Sequence, residues 1–186
     1  MSWIVNLNSG QPMSIVAQSM LYGLGTADIV GPFDIRSGKV QFTGLPTGTY
    51  FDRSSITAVR DPQCTAVTAR ENLQTACTLN AIANTSGQIL LQNPLPGMRG
   101  TLGQRVVEGP GRWRFDASLG KTFRISESKN VQLRVDARNV FNHPEPNTAG
   151  NSLIMDINSA NFGQIIGANA KLPSARELQG QLRFSF

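Results

Sequence analysis

Apolar and polar residues alternate with a period of two in four stretches of this chain, the period at which successive side chains of an extended strand point to opposite faces. In the closing stretch Leu178, Gly180, Leu182, Phe184 and Phe186 share one side, and Gln179, Gln181, Arg183 and Ser185 the other. From 113 to 125 the apolar side reads Trp113, Phe115, Ala117, Leu119, Phe123 and Ile125, broken only by Lys121. Arg114, Asp116, Ser118, Gly120, Thr122 and Arg124 stand opposite. From 131 to 141 the apolar side is Val131, Leu133, Val135, Ala137 and Phe141, broken by Asn139. Its counterpart is Gln132, Arg134, Asp136, Arg138 and Val140. Near the start, Trp3, Val5 and Leu7 face one way. The pattern predicts strands over about 2–9, 112–125, 130–142 and 177–186, with the polar stretch Ser126 to Asn130 as a hairpin turn between the second and third.

Alternation alone does not name the medium, because a soluble sandwich also has one apolar face per sheet. Three features favour lipid. The wet side is charged in mid-strand, at Asp116, Arg134, Asp136 and Arg138, as a barrel lumen permits. Aromatic residues gather at strand ends, Trp113 with Phe141 at one rim and Phe123 with Phe186 at the other, as interfacial girdles do. Lys121 lies near a strand end, where its long stem reaches headgroups. Nine or so alternating residues are also the length of one barrel-strand crossing. The predicted fold is therefore all-β, an antiparallel transmembrane β-barrel fragment of about four membrane strands. Trp113, Phe115, Leu119, Phe123, Leu133, Val135 and Phe141 are assigned to its lipid face or girdles. Arg114, Asp116, Arg124, Arg134, Asp136, Arg138 and Arg183 are assigned to the lumen, in ion pairs with a plug or with neighbouring strands. The competing reading is a soluble or surface-attached β-sheet domain for binding or adhesion, whose apolar faces would pack on one another.

Residues 20–111 read as a loop rather than a core, punctuated by Gly and Pro from Gly23 to Gly109-Pro110-Gly111. A link of that length is foreign to a compact soluble domain, whereas outer-membrane barrels carry long external loops. Within it the pattern predicts short strands at Val40–Thr43 and Gln88–Leu91 and a helix near Ala66 to Leu73. Cys64 and Cys77 are the chain's two cysteines. An isolated close pair points to a disulfide and an oxidising compartment; the alternative is two free thiols. A zinc site is disfavoured, since it wants four ligands and the one histidine lies far along the sequence.

Composition narrows the function classes. Charged residues make up 16% of the chain, below the usual quarter or so. No run of about 18 apolar residues exists, so no transmembrane helix is predicted. The net charge is +5, but the cations alternate with acids and form no basic patch, which argues against nucleic acid. No enzyme is predicted, and no cofactor or metal. His143 and Glu145 stand two apart in a Pro-rich segment with no nucleophile motif beside them, and Pro144 and Pro146 are expected to end the preceding strand. Gly23-x-Gly25 lacks the third glycine of a dinucleotide fingerprint, and Asn84-Thr-Ser86 is a glycosylation match of the kind that arises by chance. The first residues lack the basic start, apolar core and cleavage site of a signal peptide, so the expectation is either that this is not a surface protein or that its true N-terminus is missing.

Val107 to Phe123, Leu133 to Pro144 and Gln181 to Phe186 resemble the barrel end of TonB-dependent receptors, most nearly the Oar-like group with a carboxypeptidase-regulatory-like domain. The run Asn139-Val-Phe-Asn-His-Pro144 is the most specific piece, and Trp3 followed by Ser9-Gly-Gln-Pro12 fits the same group. The resemblance implies a bacterial outer-membrane location and a large barrel with an internal plug. It implies a role in energy-coupled uptake through TonB, which another part of the protein would contact. Leu182, Phe184 and Phe186 match the C-terminal signal read by the barrel-assembly machinery. The implied topology places 126–130 as a periplasmic turn and 20–111 and 143–176 as external loops, with both cysteines outside the cell. Partners are then outer-membrane lipid, the remainder of the barrel and its plug. Four strands cannot close a barrel, so the chain is expected not to work as a transporter by itself.

Overall fold

The computed structural model describes all residues except 20–22, 45–46, 67–76, 96, 147–152, 167–170 and 173–174. The chain divides into two compact units. One comprises Met1–Ser9, Gly111–Pro146 and Lys171–Phe186; the other comprises Gly10–Pro110 and Asn147–Ala170.

The first unit is a four-stranded antiparallel meander. Its long strands are β1 (Ser2–Asn8), β2 (Arg112–Arg124), β3 (Asn130–Arg138) and β4 (Glu177–Ser185), hydrogen-bonded in that order. The register brings the apolar stripes together. Val5 faces Phe115 and Leu7 faces Trp113 across β1 and β2. Leu119 faces Val135 and Phe123 faces Val131 across β2 and β3. Leu133 faces Leu182 and Val131 faces Phe184 across β3 and β4. A slip of one residue in any pair would put a charged row among these side chains, so the pattern itself fixes the register. The β2–β3 turn is closed by Ile125 N donating to Lys129 O at 2.9 Å.

β3 ends at Arg138, short of the predicted 142. Asn139 takes a left-handed backbone (φ 49°), which Asn tolerates better than most residues. Its N–H leaves the ladder and donates to Asp116 Oδ1 at 2.9 Å. Its side chain then clasps the backbone of His143, accepting from His143 N and donating to His143 O, both at 2.9 Å. Glu145–Pro146 forms a two-residue ladder with Lys171–Leu172, so Pro146 does not exclude pairing as expected.

The second unit corrects the reading of 20–111 as a loop without a core. Ile15, Ile82, Leu91, Ile157 and Ile165 are at most 1% exposed and belong to one hydrophobic cluster with Tyr50, Phe51 and Phe162. Short strands supply it. Asp28–Ile29, Ile89–Gln92, Asn80–Asn84 and Ile56–Arg60 make one sheet in that order, and Gln164–Ile165, Thr47–Thr49 and Gln41–Gly44 make another. In Asn80–Asn84 three successive residues, Ala81, Ile82 and Ala83, are buried. Such a strand shows no alternation, because both of its faces are covered. Asn84 Oδ1 accepts from Ser86 N and Gln88 N, so the Asn84-Thr-Ser86 match lies in a hairpin turn, with Gly87 at φ 81°. Gly38 lies against Tyr50, where a Cβ would come within 2.2 Å of the ring. The Tyr50 hydroxyl donates to Glu108 O, and burial, aided by the Glu108 charge, pushes its pKa up.

A polar knot lies inside this apolar cluster. Asp61 and Asn93 are fully buried. Asp61 Oδ2 accepts from Asn93 N and Nδ2 at 2.8 and 2.9 Å. Asn93 Nδ2 also donates to Asn80 O and Asn158 Oδ1, while Asn93 Oδ1 accepts from Gln18 N and Asn158 Nδ2. Buried polar atoms persist where each finds partners, and here five segments of the chain supply them to one another.

Cys64 and Cys77 are joined by a disulfide, with Cα atoms 5.5 Å apart. The helical turn Gln63–Ala66 contains Cys64 and opens the closed loop, and the rest of the predicted helix lies outside the described residues. Cys64 is 1% exposed, and its N–H donates to Asp61 O. Cys77→Ser is expected to destabilise the second unit by about 3 kcal/mol in the chain-entropy model, read as a lower denaturant midpoint for its protected amides. Reductant added to the native chain should produce the same shift.

Candidate membrane-facing surface

The two faces of the four-stranded sheet differ in kind. On the apolar face, Leu119 is 60% exposed, Leu133 46%, Leu182 58% and Phe184 62%. Among the described residues, none covers these side chains. A soluble sandwich would bury them, and an exposed apolar surface of this extent marks contact with a membrane or partner. β2 has 13 residues and β3 and β4 have nine each, enough to cross a hydrocarbon core as tilted strands.

At one end of this face the aromatic rings gather. Trp113 and Phe141 lie 6.0 Å apart, Phe115 and Phe141 5.3 Å, and Trp3 stacks on Phe115 at 6.2 Å. Phe141 lies beyond the end of β3, and the Asn139 turn brings it back to this side. Its neighbour His143 packs on Trp113 at 4.1 Å, so the imidazole is part of this aromatic cluster. Toward the other end stands Phe123, and Lys121 places its ammonium 6.0 Å from the Phe123 ring centre. Phe186 follows β4 and is almost fully exposed. Leu182 and Phe184 lie on the same side as Leu133 and Val131. Val135, the next position on this side beyond Leu133, faces Gly180.

The opposite face carries the charges. Arg114 Nε meets Asp116 at 3.1 Å, Arg134 Nε meets Asp136 at 3.0 Å, and Arg138 Nη1 meets Glu177 at 3.2 Å. The first two pairs join residues two apart on one strand, where the strand period places both side chains on one face. The third crosses from β3 to β4. Arg124 pairs in register with Asn130, and Arg183 with Gln132, on this same face. Glu177 was not among the sequence-assigned charges; its position opposite Arg138 follows only from the register. Asp116 has a second task that alternation does not disclose, because its other oxygen holds Asn139 N. Asn139→Ala keeps the N–H that Asp116 accepts but is expected to fray the end of β3 and cost about 1–3 kcal/mol, since the His143 N–H and C=O lose their part-buried side-chain partner and alanine tolerates the left-handed backbone less well. Faster hydrogen exchange at Arg138 and Val140, with Val131 unchanged, is the expected signature.

A strand sheet with one greasy face at bilayer-crossing length, aromatic rings at its rim and ion pairs on its other face is the construction of an outer-membrane barrel wall. Residues 1–179 match the family model described as an outer membrane beta barrel domain. The chain belongs to that family, and its place is the bacterial outer membrane. No curated protein and no solved structure matches the chain.

Proposed function

We propose that this chain forms part of the barrel of a TonB-dependent, energy-coupled transporter of the Oar-like group. The observation that carries the reading is the open meander with its two unlike faces and unlike ends. Among the described residues, nothing pairs the outer edges of β1 and β4. In hydrocarbon each unpaired backbone group costs several kcal/mol, so each bare edge would cost on the order of ten kcal/mol or more. Further strands must meet those edges for the sheet to close into a barrel. The connections leaving Asn8, Arg112, Arg138 and Glu177 depart from one end of the sheet, while the short turn after Arg124 lies at the other. Long connections on one side and short turns on the other fit external loops and a periplasmic turn. The Asn139-to-Pro144 run, built as a strand terminator, adds the resemblance to this receptor group. In this reading the ion-paired face lines the lumen against a plug, and Leu182, Phe184 and Phe186 engage the barrel-assembly machinery.

The test is assembly. Exported alone, the chain is expected to give no heat-modifiable, protease-resistant monomer in the outer membrane. Supplied with sequences that provide the remaining strands and plug, it should give such a species, and that species should be captured with TonB. Stable insertion of the lone chain as a monomer, or an assembled barrel that ignores TonB, overturns the reading.

A further inference from the structure

The second unit contains a cavity of about 410 Å³, within the range of small-molecule sites. Its floor is apolar. Phe51 and Leu90 are 2% and 5% exposed, and the Phe33 ring meets Phe51 edge-on at 5.1 Å. Ile56 forms part of the wall, and the rim carries Asp34 and Asp52. Among the described residues, these aspartates are the only ionisable side chains that line the cavity. The neighbouring Arg53 is turned to another task, with Nη1 donating to Ala160 O at 3.0 Å.

We propose that this cavity binds a small organic cation, with an amine or guanidinium set between Asp34 and Asp52 and an apolar body on the Phe33–Phe51–Leu90 floor.

Both carboxylates are held in place before any ligand arrives. Asp34 Oδ1 accepts from Arg36 N at 2.9 Å, and Asp34 O accepts from the Ser37 hydroxyl at 2.7 Å. Asp52 repeats the arrangement: Oδ1 accepts from Ser54 N at 2.9 Å and Oγ at 2.7 Å, and Asp52 O accepts from the Ser55 hydroxyl at 2.8 Å. Each carboxylate therefore spends one oxygen on its own turn. Among the described residues neither forms an ion pair, and neither second oxygen has a partner. The Ser54 bonds also hold Asp52 below the usual aspartate range, so it stays ionised. An anion would meet two like charges here. A metal ion would want further anionic ligands, and among the described residues no third acidic, His or Cys group joins the pair. An organic cation meets both demands, because its charge is balanced at the rim and its body covers aromatic and aliphatic surface that also favours cations.

The test uses the full disulfide-bonded chain in detergent, with the Ile56 and Leu90 methyl signals as reporters. Phenethylamine is the probe; 2-phenylethanol and 3-phenylpropionate are its neutral and anionic counterparts. Phenethylamine is expected to shift both methyl signals saturably. The alcohol should bind roughly fivefold more weakly or worse, as loss of partly exposed charge pairs predicts, and the acid should not bind. Asp34→Asn and Asp52→Asn keep the oxygen that each turn needs and remove only the charge. Each is expected to weaken the amine roughly fivefold, and the double variant should abolish saturation. Glu127→Gln, a charge removal in the β2–β3 turn, should leave binding unchanged. The proposal is overturned if no probe saturates, if the three probes bind alike, or if the asparagine variants, shown folded by their methyl dispersion, bind as the native chain does. Glucose shifting the same methyl signals while phenethylamine leaves them untouched would assign the cavity to a neutral sugar and also overturn it. Since TonB takes no part in the measurement, failure here leaves the transporter reading standing.

Discussion

Asn93→Leu is expected to destabilise the second unit by about 3–5 kcal/mol, because it strips partners from several buried polar groups at once. The Asn93 side chain makes five hydrogen bonds: to Asp61, Asn80 O and Asn158 through Nδ2, and from Gln18 N and Asn158 through Oδ1. Leucine has a similar branching pattern and none of this capacity. Asp61 keeps the bonds from Asn93 N and Gln63 N, but it loses a side-chain donor while 0% exposed. Native stability is typically about 5–15 kcal/mol, so the loss takes a large share of what a unit this size has. Hydrogen exchange under mild denaturant at Ile82 and Leu91 should show the full effect, with the sheet amides of Val131 and Leu133 unmoved. A change under about 1 kcal/mol would mean that water replaces the asparagine and that the knot is not sealed.

Leu119→Arg is expected to cost about 2–4 kcal/mol for a barrel folded in a bilayer, the usual penalty for arginine on a lipid face near mid-depth. Leu119 lies near the middle of β2, opposite Val135, and is 60% exposed. That exposure makes the substitution discriminating. A side chain that projects into water tolerates the change within about 0.5 kcal/mol, whereas one that projects into acyl chains does not. Gln132→Arg, on the other face, is the matched control and should be nearly neutral. Urea titration of the assembled barrel in lipid vesicles separates the two positions. Equal costs at 119 and 132 would remove lipid from the apolar face.

The long strands were legible because a half-buried strand writes its two environments into alternate residues. Trp113 to Phe123 needs no partner to be read that way. The end of β3 was not legible. Phe141 keeps the apolar parity, so alternation runs on through a turn that only the left-handed Asn139 and its bonds to Asp116 and His143 reveal. The second unit was hidden for a different reason. Its strands are two to five residues long, some covered on both faces, and its glycines and prolines look the same in an ordered unit as in an open loop. Its core joins Ile15 to Ile165, pairs that no local pattern connects.

The sequence by itself determined the strand faces and the apolar surface they offer to the outer membrane, since side-chain period is a local rule; which residues stand opposite one another, as Glu177 does Arg138, came from the structure. The cysteine pairing was also within its reach, because one close pair leaves one partner each. Tertiary structure alone decided the sealed Asp61–Asn93–Asn158 knot and the acidic-rimmed cavity beneath Asp34 and Asp52. Both depend on residues from separate segments meeting at hydrogen-bonding or van der Waals distance, and that proximity comes from packing the whole unit rather than from any one stretch of it.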